Sequence, residues 1–513
     1  MERISIIENF VPKNDEALLR MAEKHRPALR HKRVAPVAAV VQRVDGTTET
    51  VSPETIPPLG AGESVCYDFG NHFVGYVTLQ LSFAGSHPDA PAYLDLQFAE
   101  RESELHEDAE AYHGWISKSW IQRELVHIDK LPHTLVLPRR YALRYCRVRV
   151  IDTSRKYRVV PQSLTLRAVG TADPDRIAPL ETDDERLRRI DKIGVRTLAN
   201  CMQEVFEDGP KRDRRLWIGD LRLQALANYR TYRNNDLVRR CLYLFAGSTL
   251  PGGRVGAGLF IEPEVEVDDT AMFDYSLFFI PTLLDYYEAT GDKETLRELW
   301  PTALRQVELA QASFDGSGLV RDSDVLGWCF LDWNLALNKQ CGAQGVYLYC
   351  LKAAEKIAAL LGAEEEAARL ASDYAAKKQA ALDSLFDKDL GLFVSGRDRQ
   401  LSWASQIWMV LGGAADGAVL ARIAARPDAV GMVTPYLYHH YVQALLDVGE
   451  KEAALQVLRD YWGGMLREGA DTFWELYDPA DPDASPYGGT IVNSYCHAWS
   501  CAPAYFLRKY YNK

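Results

Sequence analysis

The sequence predicts two domains, an N-terminal antiparallel β-sandwich followed by an (α/α)6 barrel. Three observations predict it. Apolar and polar residues alternate with period two up to about residue 175. A helical period replaces this alternation from about residue 180 and runs to the end. The length, 513 residues, exceeds what one ordinary compact core holds.

Residues 1–36 read as a partly helical extension outside the sandwich. Residues 37–175 form the sandwich domain. Its strands show in runs such as Phe73-Val74-Gly75-Tyr76-Val77-Thr78-Leu79-Gln80-Leu81 and Tyr141-Ala142-Leu143-Arg144-Tyr145-Cys146-Arg147-Val148. Clusters of Gly and Pro, as at Pro57-Pro58-Leu59-Gly60, separate them. Residues 180–513 form the helical domain. Thr182-Asp183-Asp184-Glu185 fits a capping box, and Leu187, Ile190, Ile193, Leu198, Cys201 and Val205 share one helix face. Further helices are expected near 221–231, 235–246, 269–290, 293–312, 343–361, 364–385, 402–412, 417–425, 434–448, 451–466 and 491–510. About a dozen helices must form layers. A solenoid would show self-similarity at a fixed period, and the sequence has none. A toroid of six helical hairpins remains.

Lys+Arg minus Asp+Glu gives 59 − 71 = −12. Such a field repels nucleic acid and anionic membrane, so neither is an expected partner. No apolar run has the length of a leader or of a membrane span, which predicts a cytoplasmic protein. Nine cysteines without tight pairing read as reduced, mostly buried thiols rather than a zinc site. With 11 Trp and 26 Tyr, sugar binding is compatible with the composition but not demanded by it.

Five segments could carry chemistry. The densest runs from Glu207 through Asp208, Lys211, Arg212, Asp213, Arg214 and Trp217 to Asp220. From composition alone a solvated loop and a partly buried site with separated pKa values are equally good readings. The others are 468–478 with Trp474-Glu475, 331–334 with Asp332-Trp333, 493–500 with His497, and 267–275. Each is weak alone, and on its residues alone the Trp474 segment reads better as a helix start with a core Trp. Together they put carboxylates and indoles in loops that an (α/α)6 barrel gathers at one end. His439-His440 lacks metal-ligand spacing and reads as packing or surface. Gly252–Gly258 follows no strand, and no Gly-x-Ser-x-Gly elbow is present.

At these residues the chain resembles the bacterial α-L-rhamnosidases of glycoside hydrolase family 78. Asp208-Gly209-Pro210-Lys211-Arg212-Asp213-Arg214, ending in Trp217-Ile218-Gly219-Asp220, matches the family's Asp-Cys-Pro-x-Arg-Glu-Arg stretch and its Trp-x-Gly-Asp. Trp474-Glu475 matches a late Trp-Glu, and Ser494 to Ser500 a Ser-x-x-His-(Gly/Ala)-Trp-Ser run. The likeness covers roughly residues 60 to 510. It implies an inverting glycosidase without metal or other cofactor, taking a small carbohydrate substrate. By motif match Asp213 is the general acid and Glu475 the base. Asp208, Arg212, Trp217, Asp220 and Trp474 would hold the sugar, with Asp332, Trp333 and His497 in the same pocket.

Three departures from the family are visible. Asp213 stands where many members have Glu, Gly209 stands where Cys is common, and no C-terminal β-domain follows the last helix. They leave two alternatives open: a same-fold glycosidase acting on another sugar, possibly an acidic one met by Arg214 and Arg215, or a sugar-binding protein without turnover. The oligomeric state is not legible.

Overall fold

A computed structural model describes residues 10–323 and 328–512. The first nine residues of the expected extension therefore lie outside the described residues. The rest of that extension is one short helix, α1 (Glu16–Lys24), capped by Asp15, and a strand, β1 (Arg30–Val34). This strand pairs with Leu166–Gly170, so the sheet starts ahead of residue 37. Exposure of Arg30 to Arg33 had hidden it from a pattern search based on alternation.

The sheet continues with β2 (Ala38–Gln42), β3 (Thr48–Val51), β4 (Ser64–Gly85), β5 (Ala92–Ala99), β6 (Arg123–Ile128), β7 (His133–Val136), β8 (Tyr141–Asp152) and β9 (Tyr157–Gly170). Every pairing is antiparallel. The 22-residue β4 belongs to two layers. Its first part lies between β2 and β8, and its second between β9 and β7. The register shift between Asp68 and Phe73 marks the change. Alternate residues such as Val65, Tyr67, Val77, Leu79, Leu94, Leu96, Val148 and Val150 point into one core.

The helical domain has α2 (Glu185–Cys201), α3 (Ile218–Arg230), α4 (Asn235–Gly247), α5 (Phe273–Thr290), α6 (Lys293–Ala310), α7 (Gln340–Leu361), α8 (Glu364–Ser384), α9 (Trp403–Leu411), α10 (Ala418–Ala424), α11 (Pro435–Asp447), α12 (Lys451–Val457), α13 (Gly463–Arg467) and α14 (Ala502–Phe506). Helices α3, α5, α7, α9 and α11 pack in succession, and α14 returns to α3. The inner helices are buried nearly all round: α3 is buried continuously from Ile218 to Asn228. Outer helices alternate with them. In α8 only Leu370 and Ala381 are fully buried. This is the six-hairpin toroid.

Two expected helices start late. Asp268 accepts hydrogen bonds from the Thr270 amide (3.1 Å) and hydroxyl (3.0 Å), a local turn that delays α5 to Phe273. The last helix begins at Ala502, where Pro503 fits a first turn, and the preceding residues form 3₁₀ turns. A small sheet of β10 (Leu216–Trp217), β11 (Gly258–Phe260) and β12 (Glu266–Val267) interrupts the helical pattern at the barrel mouth. All nine cysteines are free, and only Cys66 is not buried. His439 and His440 are buried packing residues that burial keeps uncharged. Among the described residues no helix is long and apolar enough to cross a membrane, and no metal-ligating cluster occurs.

Candidate active site

The loop between α2 and α3 turns into the barrel mouth because its charges find partners there. Lys211, 1 % exposed, pairs with Glu104 of the sandwich and donates to the carbonyls of Ile491 and Asn493 (both 2.9 Å). Asp208 accepts from the amides of Asp213 and Arg215 (both 3.1 Å). Gly209 is required by close approach. A Cβ there would sit 2.5 Å from the Arg212 carbonyl oxygen and 2.7 Å from Ser494 Oγ. In this backbone a cysteine at position 209 does not fit without a shift, which gives the departure at that position a steric reason.

This loop lines a cavity of about 370 Å³ with residues from both domains. Of the predicted site residues, Asp208, Arg212, Asp213, Trp217, Asp220, Trp333, Glu475 and His497 all line it. Arg212 links two of its acids. The guanidinium pairs with Glu475 Oε2, stands 3.5 Å from Asp213 Oδ1, and donates through Nε to the Val492 carbonyl (3.1 Å). Positions 213 and 475, far apart in sequence, thus meet across one planar cation. Glu475 also accepts from the Tyr487 hydroxyl. Glu475 and Asp220 are deeply buried, while Asp213 keeps 22 % of its side chain exposed.

Electrostatics differ sharply among these acids. Burial, with the charge of Asp213, pushes the Asp208 carboxyl up to about 8. Burial lifts Asp220 well above the usual carboxylate range, and Asp208 and Glu475 add to it. Glu475 is raised by burial against the pull of Arg212 and Tyr487. Burial and Arg212 hold His497 well below the usual imidazole range, so it is neutral. Its Nδ1 lies 3.6 Å from Asp220 Oδ1. Among the described residues, four buried polar atoms on cavity residues have no hydrogen-bond partner: Trp217 Nε1, Trp333 Nε1, Asp220 Oδ1 and His497 Nδ1. Unspent donors and acceptors around a cavity with indole walls fit a ligand that is polar at its rim and apolar on its face.

Two predicted residues are elsewhere. The Asp332 carboxylate accepts from the amides of Val433 (2.8 Å) and Thr434 (3.0 Å) and from the Thr434 hydroxyl (2.6 Å), so it clamps the Trp333 loop to the start of α11. Trp474 is not among the residues lining this cavity. Its ring lies 4.9 Å from the Arg101 guanidinium of the sandwich. The cations considered for an acidic sugar are also occupied. Arg214 donates to the carbonyls of Pro210 (2.9 Å) and Arg140 (2.8 Å), and Arg215 pairs with Asp268 (2.8 Å). Sequence reading missed Trp115, Trp120 and Tyr487. The first two lie in a sandwich loop, and nothing local ties that loop to the barrel. Tyr487 lies in a run of Pro, Gly and Asp that reads only as a turn.

The glycosyl hydrolase family 78 alpha-rhamnosidase N-terminal domain matches residues 38–168, and the bacterial alpha-L-rhamnosidase 6 hairpin glycosidase domain matches residues 175–511. A rhamnosidase from Klebsiella oxytoca, solved with rhamnose bound, is 48% identical, with a TM-score of 0.93 over 98% of this chain and 99% of that one. The chain belongs to glycoside hydrolase family 78. As a family 78 protein it is a glycoside hydrolase. More distant rhamnosidases share the fold. The rhamnosidase of Bacillus sp. GL1 is 22% identical (TM-score 0.73, covering 90% of this chain and 49% of that one). The α-L-rhamnosidase of Streptomyces avermitilis, complexed with L-rhamnose, is 17% identical (TM-score 0.69, 94% and 44%). No curated protein sequence matches the chain.

Proposed function

We propose that the protein is an inverting α-L-rhamnosidase that releases terminal rhamnose, or a closely related sugar, from small glycosides or oligosaccharides. The observation that carries this reading is the pair Asp213 and Glu475, joined to one guanidinium inside an indole-walled cavity. The rhamnose in the structure of the 48%-identical Klebsiella oxytoca protein supports the choice of sugar.

Asp213, on the more open side, is the general acid. It passes its proton to the glycosidic oxygen as that bond breaks. Glu475 is the general base. Its carboxylate, held by Arg212 and Tyr487, takes a proton from a water that attacks the anomeric carbon from the opposite face. In inverting enzymes the two carboxyl groups stand roughly 6.5–9.5 Å apart to admit that water. The products are the free sugar of inverted configuration and the alcohol. Asp213 is left ionised and Glu475 protonated, and solvent restores both. Asp208, kept protonated near neutrality, donates to a sugar hydroxyl, and Asp220 and neutral His497 supply further polar contacts.

Steady-state kinetics on an aryl α-L-rhamnoside, beside aryl glycosides of other sugars and aryl uronides, test the proposal. Rhamnoside should be the preferred substrate. Asp213→Asn and Glu475→Gln should each cost roughly 10²–10⁴-fold in kcat. Preference for a uronide, or near-normal rates in both variants, would overturn it.

A further inference from the structure

Tyr487 stands in an unusual position for a residue of a Gly- and Pro-rich loop. It is 3 % exposed. Its hydroxyl donates to Glu475 Oε1 while Arg212 takes Oε2, and the Arg212 guanidinium lies 3.9 Å from the centre of the Tyr487 ring. Both oxygens of one carboxylate are therefore fixed by two groups that also pack on each other. Each oxygen keeps a second lone pair for a water.

The loop that carries Tyr487 is held from the other domain. The Tyr112 hydroxyl donates to the Tyr487 carbonyl (2.9 Å), and Trp115 Nε1 donates to the Pro486 carbonyl (2.6 Å). Between them Gly114 lies so close that a Cβ would be 2.0 Å from the Tyr487 carbonyl oxygen. Ala109, Tyr112 and Ile121 of the sandwich pack with Tyr487, Ile491 and Val492 in one small apolar cluster.

We propose that Tyr487 is a positioning residue for Glu475, and that the sandwich segment 112–115 holds it in place. The β-sandwich is then part of the catalytic apparatus rather than a passive attachment. This rests on Glu475 being the base. The groups facing Glu475 are Arg212 and Asp213 from the α2–α3 loop, Asp220 from α3, and Tyr487; Trp499 donates to its main-chain carbonyl (2.9 Å). A hydrogen bond to the charged form lowers a carboxyl pKa, so its loss moves the ionisation upward.

The test is the pH profile of kcat/KM on an aryl α-L-rhamnoside, using the full chain and the variants Tyr487→Phe, Tyr112→Phe and Trp115→Phe. Tyr487→Phe removes one oxygen and keeps the ring over Arg212. The acidic limb should move up by about one pH unit. Plateau kcat should fall on the order of 10-fold, with KM little changed. Tyr112→Phe with Trp115→Phe should move the limb the same way by less, and should add nothing in a Tyr487→Phe background. A purely structural role would lower the melting temperature and leave the limb in place. An unmoved limb in Tyr487→Phe, with Glu475→Gln inactive, overturns the positioning role alone. A near-normal rate in Glu475→Gln overturns the acid–base reading beneath it.

Discussion

Asp208 shows how one residue serves the site at a cost to the fold. Its carboxyl is buried at the cavity wall and carries a proton up to about pH 8. Above that pH a charge appears beside Asp213 and Asp220, and the proposed mechanism loses a donor to the sugar. kcat/KM should therefore fall as pH rises past about 8, and in Asp208→Asn, which cannot ionise, that limb should move to higher pH. An identical limb in both proteins would contradict the assignment. The same shift is linked to stability. Asp208 binds its proton more tightly folded than unfolded, so its contribution is complete below the ordinary carboxylate range and is lost as pH rises through about 8. The drop in melting temperature between pH 6 and 9 should be smaller in Asp208→Asn, as scanning calorimetry would read it. Residue-level legibility was uneven for a physical reason. Short-range spacing marks where acids and indoles cluster, and Asp208, Asp213, Trp217, Asp220 and Glu475 line one cavity. It does not mark which way each side chain turns: the Trp474 ring lies beside Arg101, and Asp332 accepts from Thr434.

At the scale of elements, the α2–α3 loop is a latch. Lys211 pairs with Glu104, a buried acid in the 3₁₀ turn Glu102–His106, whose own pKa burial lifts to about 7. Removing one partner of a buried pair strands the other charge, at a cost of about 3–5 kcal/mol. Lys211→Ala should lose stability of that order in urea unfolding at pH 8 and less at pH 5, where Glu104 takes up a proton and the stranded charge disappears. Equal losses at both pH values would show that the pair carries no net charge interaction. Helix periodicity exposed most of these elements in advance, because inner helices must repeat apolar residues to pack. The three-stranded β10–β12 sheet escaped notice since strands of two or three residues leave too short a pattern.

Across the whole molecule, a few contacts turn two domains into one working unit. Arg140 pairs with Glu207 (2.7 Å), Glu100 accepts from the Tyr495 amide (2.7 Å), and Asp471 accepts from the His72 amide (2.8 Å). The domain order was legible because the period of the sequence changes from 2 to 3.6; the way the sandwich closes the cavity was not, since contacts some 370 residues apart leave no periodic trace. In the mechanism we propose, that closure holds two carboxylates on opposite faces of one sugar. Proton NMR of the first sugar released from an aryl α-L-rhamnoside tests this most directly. The account predicts that the β anomer of L-rhamnose appears first and then mutarotates. Initial release of the α anomer would contradict it.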